Sequence, residues 1–430
     1  MKVFVVASTR PEVIKLAPIL NELRKKNVEH LFATTGQHYD DRLFKNFLKD
    51  LKLGDPDYNL EVGSGSHGYQ TGAALMSLEE ILLKESPDVL LVEGDTNSVL
   101  AGALAAVKHK IPVGHVEAGL RSFDRTMPEE INRILADHSS ELLFAPTEHS
   151  ALNLVNEGIP ANKIHIVGNT IVDATLDNIE TAKNRPPLSK DLPDDYLLLT
   201  LHRQENTDDK NRLEEIFLAL LELGRDVVFP IHPRTSNLIR GTKLEKLLEN
   251  DSIHITSPLG YLDFLRLLYN SFAVLTDSGG LQEEAITLNV PCLTLRYNTE
   301  RPETVWAGGN IVVGTGNQDI ITAVKSLEDV SVYNAMKNTS NPYGDGKTAE
   351  RIVEILLEKS NNDELTIESS DTRKGFRSRK IVEVDESLAG TRVVDSGFKI
   401  QKIFAGGEEF FPYPKRVLEK GQTVEIIESD

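Results

Sequence analysis

Short apolar runs rich in β-branched residues alternate with amphipathic segments along most of the chain, and this alternation limits the possible folds more than any other feature. The runs lie at 3–8, 30–35, 88–94, 111–117, 142–147, 163–168, 196–202, 227–232, 253–257, 273–278, 291–296 and 310–315. Apolar strands that are separated by helices pair in parallel and are buried on both faces. The pattern therefore predicts an α/β fold built from doubly wound parallel sheets.

The stretch TAKNRPPLSKDLPDD (181–195) interrupts the alternation with prolines and charges, and it is typical of a linker. We therefore expect two Rossmann-like domains facing each other across a cleft, the default ligand site. The first is 1–168, completed by a closing helix within 346–362, and the second is 169–345. From 363 to 430, short alternating runs indicate either a small β-rich appendix of unknown role or a partly disordered tail with strands.

Composition excludes several classes of function. A net charge of −19 over 430 residues argues against a general nucleic-acid binder. The single cysteine, Cys292, lies in the apolar run VPCLTL, which indicates a buried structural thiol in a reducing compartment. No apolar stretch approaches the roughly 20 residues that span a bilayer. We therefore expect a cytoplasmic protein with neither a nucleic-acid nor a membrane partner.

The first strand leads into ASTRPEVIKLAP, which lacks the glycine fingerprint of dinucleotide-binding proteins and so argues against a nicotinamide cofactor. Thr9 and Glu12 have the spacing of a capping box. Arg10 is unexpected, because a helix N-terminus favours anions over cations. It is either solvated or helps the free backbone amides to hold a phosphate, and Lys15 follows in the same helix.

In the second half, LTDSGGLQEEA (275–285) joins a strand to a helix. Ser278, Gly279 and Gly280 allow the backbone amides to approach an anion, although such a turn is also common in proteins without a ligand. If it faces Arg10 across a cleft, the turn is a diphosphate cradle. Glu284, one helical turn further on, is then placed to accept hydrogen bonds from ribose hydroxyls.

Two histidines, His202 and His232, end strands of the second half. Their surroundings lack a zinc-type spacing, so each is more typical of a phosphate contact or of a buried, hydrogen-bonded histidine than of a metal ligand. His202, which is followed by Arg203, is the preferred ligand contact of the two.

Acidic residues cluster at the ends of two strands and the start of a helix: Asp95, Glu117, Glu129 and Glu130. Taken singly, Asp95 suits a helix N-cap, and the glutamates of PEEINR suit the positive end of a helix dipole. Together they would lie at the carboxyl edge of adjacent parallel strands, where open α/β sheets bind ligands. The cluster therefore suggests acid–base chemistry on a sugar, with burial and mutual repulsion keeping one carboxyl protonated.

The motifs STRPEVIKLAP, TGQH, EGDT, GHVEAGLR, PEEINR, FAPTE, GNT, HRQEN, PLGYLDF, TDSGGLQEEA and TERPE occur in this order between residues 8 and 303. This series resembles that of the non-hydrolysing UDP-N-acetylglucosamine 2-epimerases over roughly residues 1–360. The resemblance implies a GT-B architecture, interconversion of UDP-GlcNAc and UDP-ManNAc through elimination and re-addition of UDP, and a homodimer. It also implies that neither a cofactor nor an essential metal is needed.

The resemblance assigns roles to single positions. Asp95, Glu117 and Glu129 match the catalytic acids of the family, and His202 acts with them by holding the departing diphosphate. The matching UDP-sugar contacts are Arg10, Lys15, Phe264 (near the uracil), Ser278, Gly279, Gly280 and Glu284.

Two stretches depart from the family pattern. After TGQH the chain continues YDDRL, in a region that helps to form a second, activating substrate site in bacterial members, so the resemblance does not extend to activation by substrate. Residues 363–430 have no counterpart.

Three alternatives stay open at this point: a GT-B glycosyltransferase, a hydrolysing epimerase that releases free ManNAc, and a nucleotide-sugar sensor without catalytic activity. The sequence also leaves open which acid acts on which face of C2. A related 3-acetamido uronic acid could replace GlcNAc as the sugar.

Overall fold

A computed structural model describes residues 1–36, 41–189, 192–367 and 377–429. The described residues form two compact units. Unit 1 takes the described parts of 1–40, 55–169 and 347–430, and unit 2 takes those of 41–54 and 170–346. Each unit contains its own parallel sheet covered by helices, so the predicted α/β class is confirmed.

The sheet of unit 1 has seven strands, in the order β3-β2-β1-β4-β5-β6-β7, and all their pairings are parallel. The strands are β1 (Lys2–Ala7), β2 (Glu29–Thr34), β3 (Tyr58–Asn59), β4 (Val89–Glu93), β5 (Val113–Val116), β6 (Leu142–Ala145) and β7 (Ile164–Ile166). The helices are α1 (Arg10–Lys25), α3 (His67–Glu85), α4 (Asn97–Lys108), α5 (Pro128–His138), α6 (Glu148–Asn156) and α17 (Thr348–Asn361).

The centre of this sheet is apolar on both faces. Val92 and Val113 pack with Leu78 of α3 and Ala103 of α4 in one buried cluster. Close packing explains the glycine at position 114 of β5, because a Cβ there would lie 2.5 Å from a side-chain atom of Leu91. Such tight packing fixes the strand ends from which the polar residues of the site extend.

The sheet of unit 2 has six strands, in the order β10-β9-β8-β11-β12-β13, and these pairings are also parallel. The strands are β8 (Leu197–Thr200), β9 (Val227–Pro230), β10 (Ile253–Thr256), β11 (Ala273–Thr276), β12 (Cys292–Thr294) and β13 (Asn310–Val312). Cys292 is fully buried as predicted, and burial raises the pKa of its thiol to about 12.

The helices of unit 2 are α2 (Asp41–Asp50), α7 (Thr170–Lys183), α8 (Gln204–Thr207), α9 (Lys210–Leu223), α10 (Pro233–Ile239), α11 (Lys243–Leu247), α12 (Tyr261–Asn270), α13 (Gly279–Thr287), α14 (Pro302–Trp306), α15 (Asn317–Ser326) and α16 (Val330–Lys337). Among all helices in the described ranges, none combines the length and the apolar character needed to cross a bilayer.

The predicted β-rich appendix is a four-stranded antiparallel sheet in the order β14-β17-β15-β16. Its strands are β14 (Arg377–Glu383), β15 (Lys399–Ala405), β16 (Glu408–Phe410) and β17 (Thr423–Ser429). The sheet packs on unit 1, where Phe411 is buried in one cluster with Leu154 of α6. The backbone N–H of Phe411 donates to Glu148 at 2.8 Å, and that of Ala161 donates to Gln401 at 2.9 Å.

Candidate active site

In unit 1, the strands β1, β4 and β5 are neighbours and parallel, so their carboxyl ends lie at one edge of the sheet. The segments that follow them are Ser8–Arg10, Gly94–Thr96 and Glu117–Leu120. These segments and the helices after them carry the acids that the sequence predicts to be functional. The structure therefore brings those acids to one edge, where open α/β sheets bind their ligands.

Glu117 directly follows β5 and is held in an unusual way. Its φ of 68° lies in the left-handed region, which costs a residue other than glycine about 1–2 kcal/mol. Lys15 Nζ lies 2.6 Å from one carboxylate oxygen, and Asn169 Nδ2 donates to the other at 3.0 Å. Backbone strain of this kind concentrates at functional sites, where the surrounding contacts enforce it.

Lys15 also contacts Glu93, the last residue of β4, at 3.0 Å. The Glu93 side chain is only 1% exposed. Burial raises the pKa of Glu93 well above its usual range, and the neighbouring Glu117 adds to that effect. Sequence reasoning did not select Glu93, although a glutamate that ends the apolar run VLLVE was a usable signal.

Asp95 is not an N-cap, because α4 begins after Thr96. Its carboxylate instead forms an ion pair with Arg133 of α5, and its backbone oxygen accepts a hydrogen bond from Asn132 at 3.0 Å. Arg133 also pairs with Glu130 at 2.6 Å. Arg133 therefore orders two acids of the cluster, Asp95 and Glu130.

The two neighbouring glutamates of α5 have different surroundings. Glu130 is buried and accepts the backbone N–H groups of Ser122 at 3.0 Å and Phe123 at 2.9 Å, so it fixes the loop before the helix. Glu129 is half-buried in the first turn. The structure thus gives Glu130 a structural role and leaves Glu129 as the candidate for chemistry.

A buried pair, His115 and Asp137, connects the segments that follow β4 and β5. The His115 ring contacts Asp137 at 2.6 Å and the carbonyl oxygen of Gly94 at 2.8 Å, while Asp137 also accepts the N–H of Gly119 at 3.2 Å. Because both ring nitrogens face acceptors, the ring is an imidazolium. Burial opposes that charge, but Asp137 outweighs it and raises the pKa of His115.

Arg121 pairs with Asp137 and Glu157 rather than with Asp95, Glu117 or Glu129. Its guanidinium lies 2.7 Å from Asp137 and forms two hydrogen bonds, each of 2.7 Å, with Glu157. Its contribution to the site is therefore indirect, through Asp137.

At the start of α1, Arg10 is half-buried, and the predicted capping arrangement is present. The buried Glu12 carboxylate accepts the backbone N–H groups of Ser8 and Thr9. Burial raises the pKa of Glu12.

A cavity of about 50 Å³ adjoins this edge of the sheet. It is lined by Ser8, Thr35, Gly36, Val62, Gly63, Gln70, Thr96, Asn97 and Ser98, most of which offer hydroxyl or amide groups. The motif TGQH begins here, but 37–40 lie outside the described residues. The prediction about a second substrate site therefore stays a prediction.

In unit 2, Ser278 is the N-cap of α13, and its backbone N–H donates to Thr276 at 2.9 Å. Gly279 cannot be replaced without displacement, since a Cβ there would lie 2.4 Å from Glu300 and 2.8 Å from Arg301. A Cβ on Gly280 would meet no atom within 4 Å. The turn therefore presents open space at one glycine and close side-chain packing at the other.

Asp277 connects this turn to the segment after β8. It is fully buried and accepts the backbone N–H groups of His202 at 3.1 Å and Arg203 at 3.0 Å, together with Asn206 Nδ2 at 3.2 Å. The His202 side chain remains 43% exposed. Asp277 thus fixes the backbone at His202 and Arg203, a contact that sequence reasoning missed although it quoted the motif.

The other predicted ligand contacts of unit 2 lie on α12 and α13. Phe264 is half-buried on α12, and Glu284 is buried on α13. Glu284 lies next to Tyr261, whose pKa is raised mainly by burial and further by the charge of Glu284. His232 caps α10 by accepting the N–H of Arg234 at 3.2 Å, which is the hydrogen-bonded alternative considered for it.

Comparison with known proteins gives a consistent result. The family model for UDP-N-acetylglucosamine 2-epimerase matches residues 21–357, so the appendix lies outside it. The UDP-N-acetylglucosamine 2-epimerase of Methanocaldococcus jannaschii is 52% identical over 83% of this chain and 99% of its own length. A UDP-2,3-diacetamido-2,3-dideoxy-D-glucuronate 2-epimerase of Pseudomonas aeruginosa is 41% identical over 83% of this chain and 99% of its own length.

Among solved structures, the crystal structure of the M. jannaschii UDP-GlcNAc 2-epimerase in complex with UDP-GlcNAc and UDP is similar to this chain with a TM-score of 0.76. The two are 51% identical, and the match covers 83% of this chain and 100% of the other. This likeness supports the predicted GT-B-like fold.

Proposed function

Because the chain belongs to the UDP-N-acetylglucosamine 2-epimerase family, we propose that it interconverts UDP-GlcNAc and UDP-ManNAc by inverting C2 without hydrolysis. The observation that carries the proposal is the strained, buried Glu117, held by Lys15 and Asn169 at the edge of the sheet that also carries Asp95. A carboxylate in this position can exchange a proton with a bound sugar.

The chemistry explains why several acids are needed. The C2 proton is a very weak acid, so its removal is coupled to departure of UDP from C1, which places the negative charge on the diphosphate. Carboxylates stabilise the positive charge that develops on the ring. A glycal forms beside UDP, and protonation of C2 from the opposite face followed by return of UDP completes the inversion.

In unit 1 we assign proton transfer at C2 to Asp95, Glu117 and Glu129, since two faces require two proton-handling groups. Arg10, at the start of α1, is assigned to the diphosphate. Lys15 was predicted to contact substrate, but its ion pairs with two carboxylates favour a role in orienting Glu117.

In unit 2 we assign the diphosphate to His202 and to the turn at Ser278, Gly279 and Gly280, because backbone amides at a helix N-terminus favour anions. Glu284 is assigned to the ribose hydroxyls and Phe264 to the uracil, as the family resemblance implies. These positions serve binding and leaving-group stabilisation rather than proton transfer.

The test is incubation of the protein with UDP-GlcNAc in D₂O, followed by NMR. We expect deuterium at C2 of both UDP-GlcNAc and UDP-ManNAc. Glu117→Gln should lower turnover by about 10²–10⁴-fold while UDP binding is retained. The matched control is Glu141→Gln, which removes a carboxylate that pairs with Lys163 at 2.6 Å. Transfer of the sugar to an acceptor, or stoichiometric release of free ManNAc, would refute the proposal.

A second candidate substrate is UDP-2,3-diacetamido-2,3-dideoxy-glucuronate, on which the P. aeruginosa relative acts according to its name. Competition between equal concentrations of the two UDP-sugars, read as the ratio of C2 exchange rates, decides between them. We expect faster exchange of UDP-GlcNAc, because this chain is 52% identical to the M. jannaschii relative named for UDP-N-acetylglucosamine and 41% identical to the P. aeruginosa relative.

We further propose that the enzyme acts as a homodimer in the cytoplasm and needs neither cofactor nor metal, as the family resemblance implies. The buried thiol of Cys292 suits a reducing compartment. Light scattering tests the dimer, and full activity after dialysis against EDTA tests the independence from metal. We retain the predicted functional division into 1–168 with 346–362, 169–345 and 363–430 as part of this proposal.

A further inference from the structure

Two carboxyl groups of unit 1 share one ammonium group. Lys15 Nζ lies 3.0 Å from Glu93 Oε1 and 2.6 Å from Glu117 Oε2. Both carboxyl groups therefore lie in direct contact with the same ammonium group. Nothing in the mechanism above uses Glu93, so this contact needs its own explanation.

Two ionised carboxylates that face one buried ammonium repel each other, and a proton on one of them removes that repulsion. Charge balance leads to the same conclusion, since a single ammonium can neutralise only one of two buried carboxylates. A further titratable neighbour of Glu93 is Glu12 on α1, another buried carboxyl group, which disfavours further negative charge. The Glu93–Glu117 pair therefore holds one proton.

The surroundings indicate which residue holds it. Glu117 is 7% exposed and receives Lys15 and Asn169, both of which favour an ionised carboxylate. Glu93 is 1% exposed, and its oxygen nearest to Lys15 is not in hydrogen-bonding geometry. Burial is also the largest influence on Glu93 and favours its neutral form.

We propose that Glu93 is a positioning residue that stays protonated and donates a hydrogen bond to Glu117, so that Glu117 alone carries the negative charge of the pair. The inference rests on the proposed role of Glu117 in proton transfer at C2. Glu93 then fixes the orientation of the ionised carboxylate together with Lys15 and Asn169. Loss of its proton would put two negative charges beside one ammonium, in a site that must also accept an anionic substrate.

The first test is the pH profile of Glu93→Gln, which mimics a neutral carboxyl group in shape and charge. We expect turnover within about threefold of the unmodified protein at pH 7. We also expect loss of the decline in turnover at alkaline pH that ionisation of Glu93 causes. The matched control is Glu22→Gln, which alters a buried carboxylate on α1 that pairs with Lys25 at 2.9 Å. A fall of a hundredfold or more at pH 7 would mean that Glu93 is ionised and would overturn the proposal.

The second test is independent of activity. Infrared spectroscopy of the unmodified protein at pH 7 should show the carbonyl stretch of a buried carboxylic acid. This band should be absent from Glu93→Gln and present in Glu22→Gln. Glu117→Gln should remove it too, because Glu93 then becomes the sole carboxylate beside Lys15 and ionises. The same carbonyl band in the unmodified protein and in all three variants would overturn the inference. If Glu93→Gln did not fold, an unchanged band in Glu117→Gln would overturn it by itself. If the bands behave as expected but C2 exchange is absent, the proposed function fails while the protonation state stands.

Discussion

Replacing Asp137 by asparagine should destabilise the part of unit 1 that carries the acid cluster. The Asp137 carboxylate lies 2.6 Å from the His115 ring and 2.7 Å from the Arg121 guanidinium, and all three side chains are fully buried. The substitution keeps the shape of the side chain but removes the only negative charge between two cations.

The expected loss of stability follows from the contacts that Arg121 and His115 keep after the substitution. Removing one partner of a buried ion pair costs about 3–5 kcal/mol, because the other charge stays buried. Arg121 keeps its two hydrogen bonds to Glu157, and His115 can lose its proton, so we expect the lower value, about 3 kcal/mol. Since Asp137 raises the pKa of His115, its contribution is fully present below about pH 6.5 and is lost as the pH rises through the raised value.

Hydrogen exchange followed by mass spectrometry measures this loss locally. Peptides covering 113–121 should exchange about 100-fold faster at pH 6, which corresponds to about 3 kcal/mol of opening free energy, and less so at pH 8. The control is again Glu141→Gln, whose partly exposed ion pair with Lys163 is worth at most about 1 kcal/mol. Exchange within threefold of the unmodified protein at both pH values would refute the ion-pair argument.

Two further changes test other parts of the molecule. Asp277→Asn weakens the hydrogen bonds to the backbone of His202, so calorimetry should show UDP affinity lowered by about 10–100-fold. The control is Asp226→Asn, in an exposed pair with His254, which should leave UDP affinity unchanged. Equal affinities of the two variants for UDP would contradict the positioning role of Asp277. Phe411→Ala empties a buried site between the appendix and α6 and should cost about 3–5 kcal/mol in thermal unfolding with turnover preserved. Phe398→Ala, at a 41% exposed position, is its control, and an equal loss in both variants would count against packing as the cause.

The positions of the long apolar strands were predictable because each run is buried on both faces of a parallel sheet. The run predicted at 227–232, for example, is the strand Val227–Pro230. By contrast, Tyr58–Asn59 adds a two-residue strand at the edge of the unit 1 sheet, and two residues carry no periodic signal. The short strand Glu408–Phe410 was missed for the same reason.

The candidate site was predictable in its location but not in its internal contacts. The sequence places Asp95 and Glu117 after two apolar strands, and the parallel pairing of those strands brings both acids to the same edge of the sheet. Residue pattern alone cannot separate Glu129 from Glu130, because adjacent residues of a helix differ only in the direction in which each side chain points, and it was the family resemblance that selected Glu129. The roles of Glu93 and Asp277 depend on contacts with residues distant in the chain, which no local pattern encodes.

The left-handed backbone of Glu117 has a consequence for engineering this protein. Glycine adopts this conformation without penalty, so Glu117→Gly would relieve about 1–2 kcal/mol of backbone strain, but it would also take the carboxylate partner from Lys15 and Asn169. The same change would remove the carboxylate that the proposed chemistry requires. Relief of backbone strain at this residue is therefore no guide to a better enzyme, and any library intended to improve thermostability should hold position 117 constant.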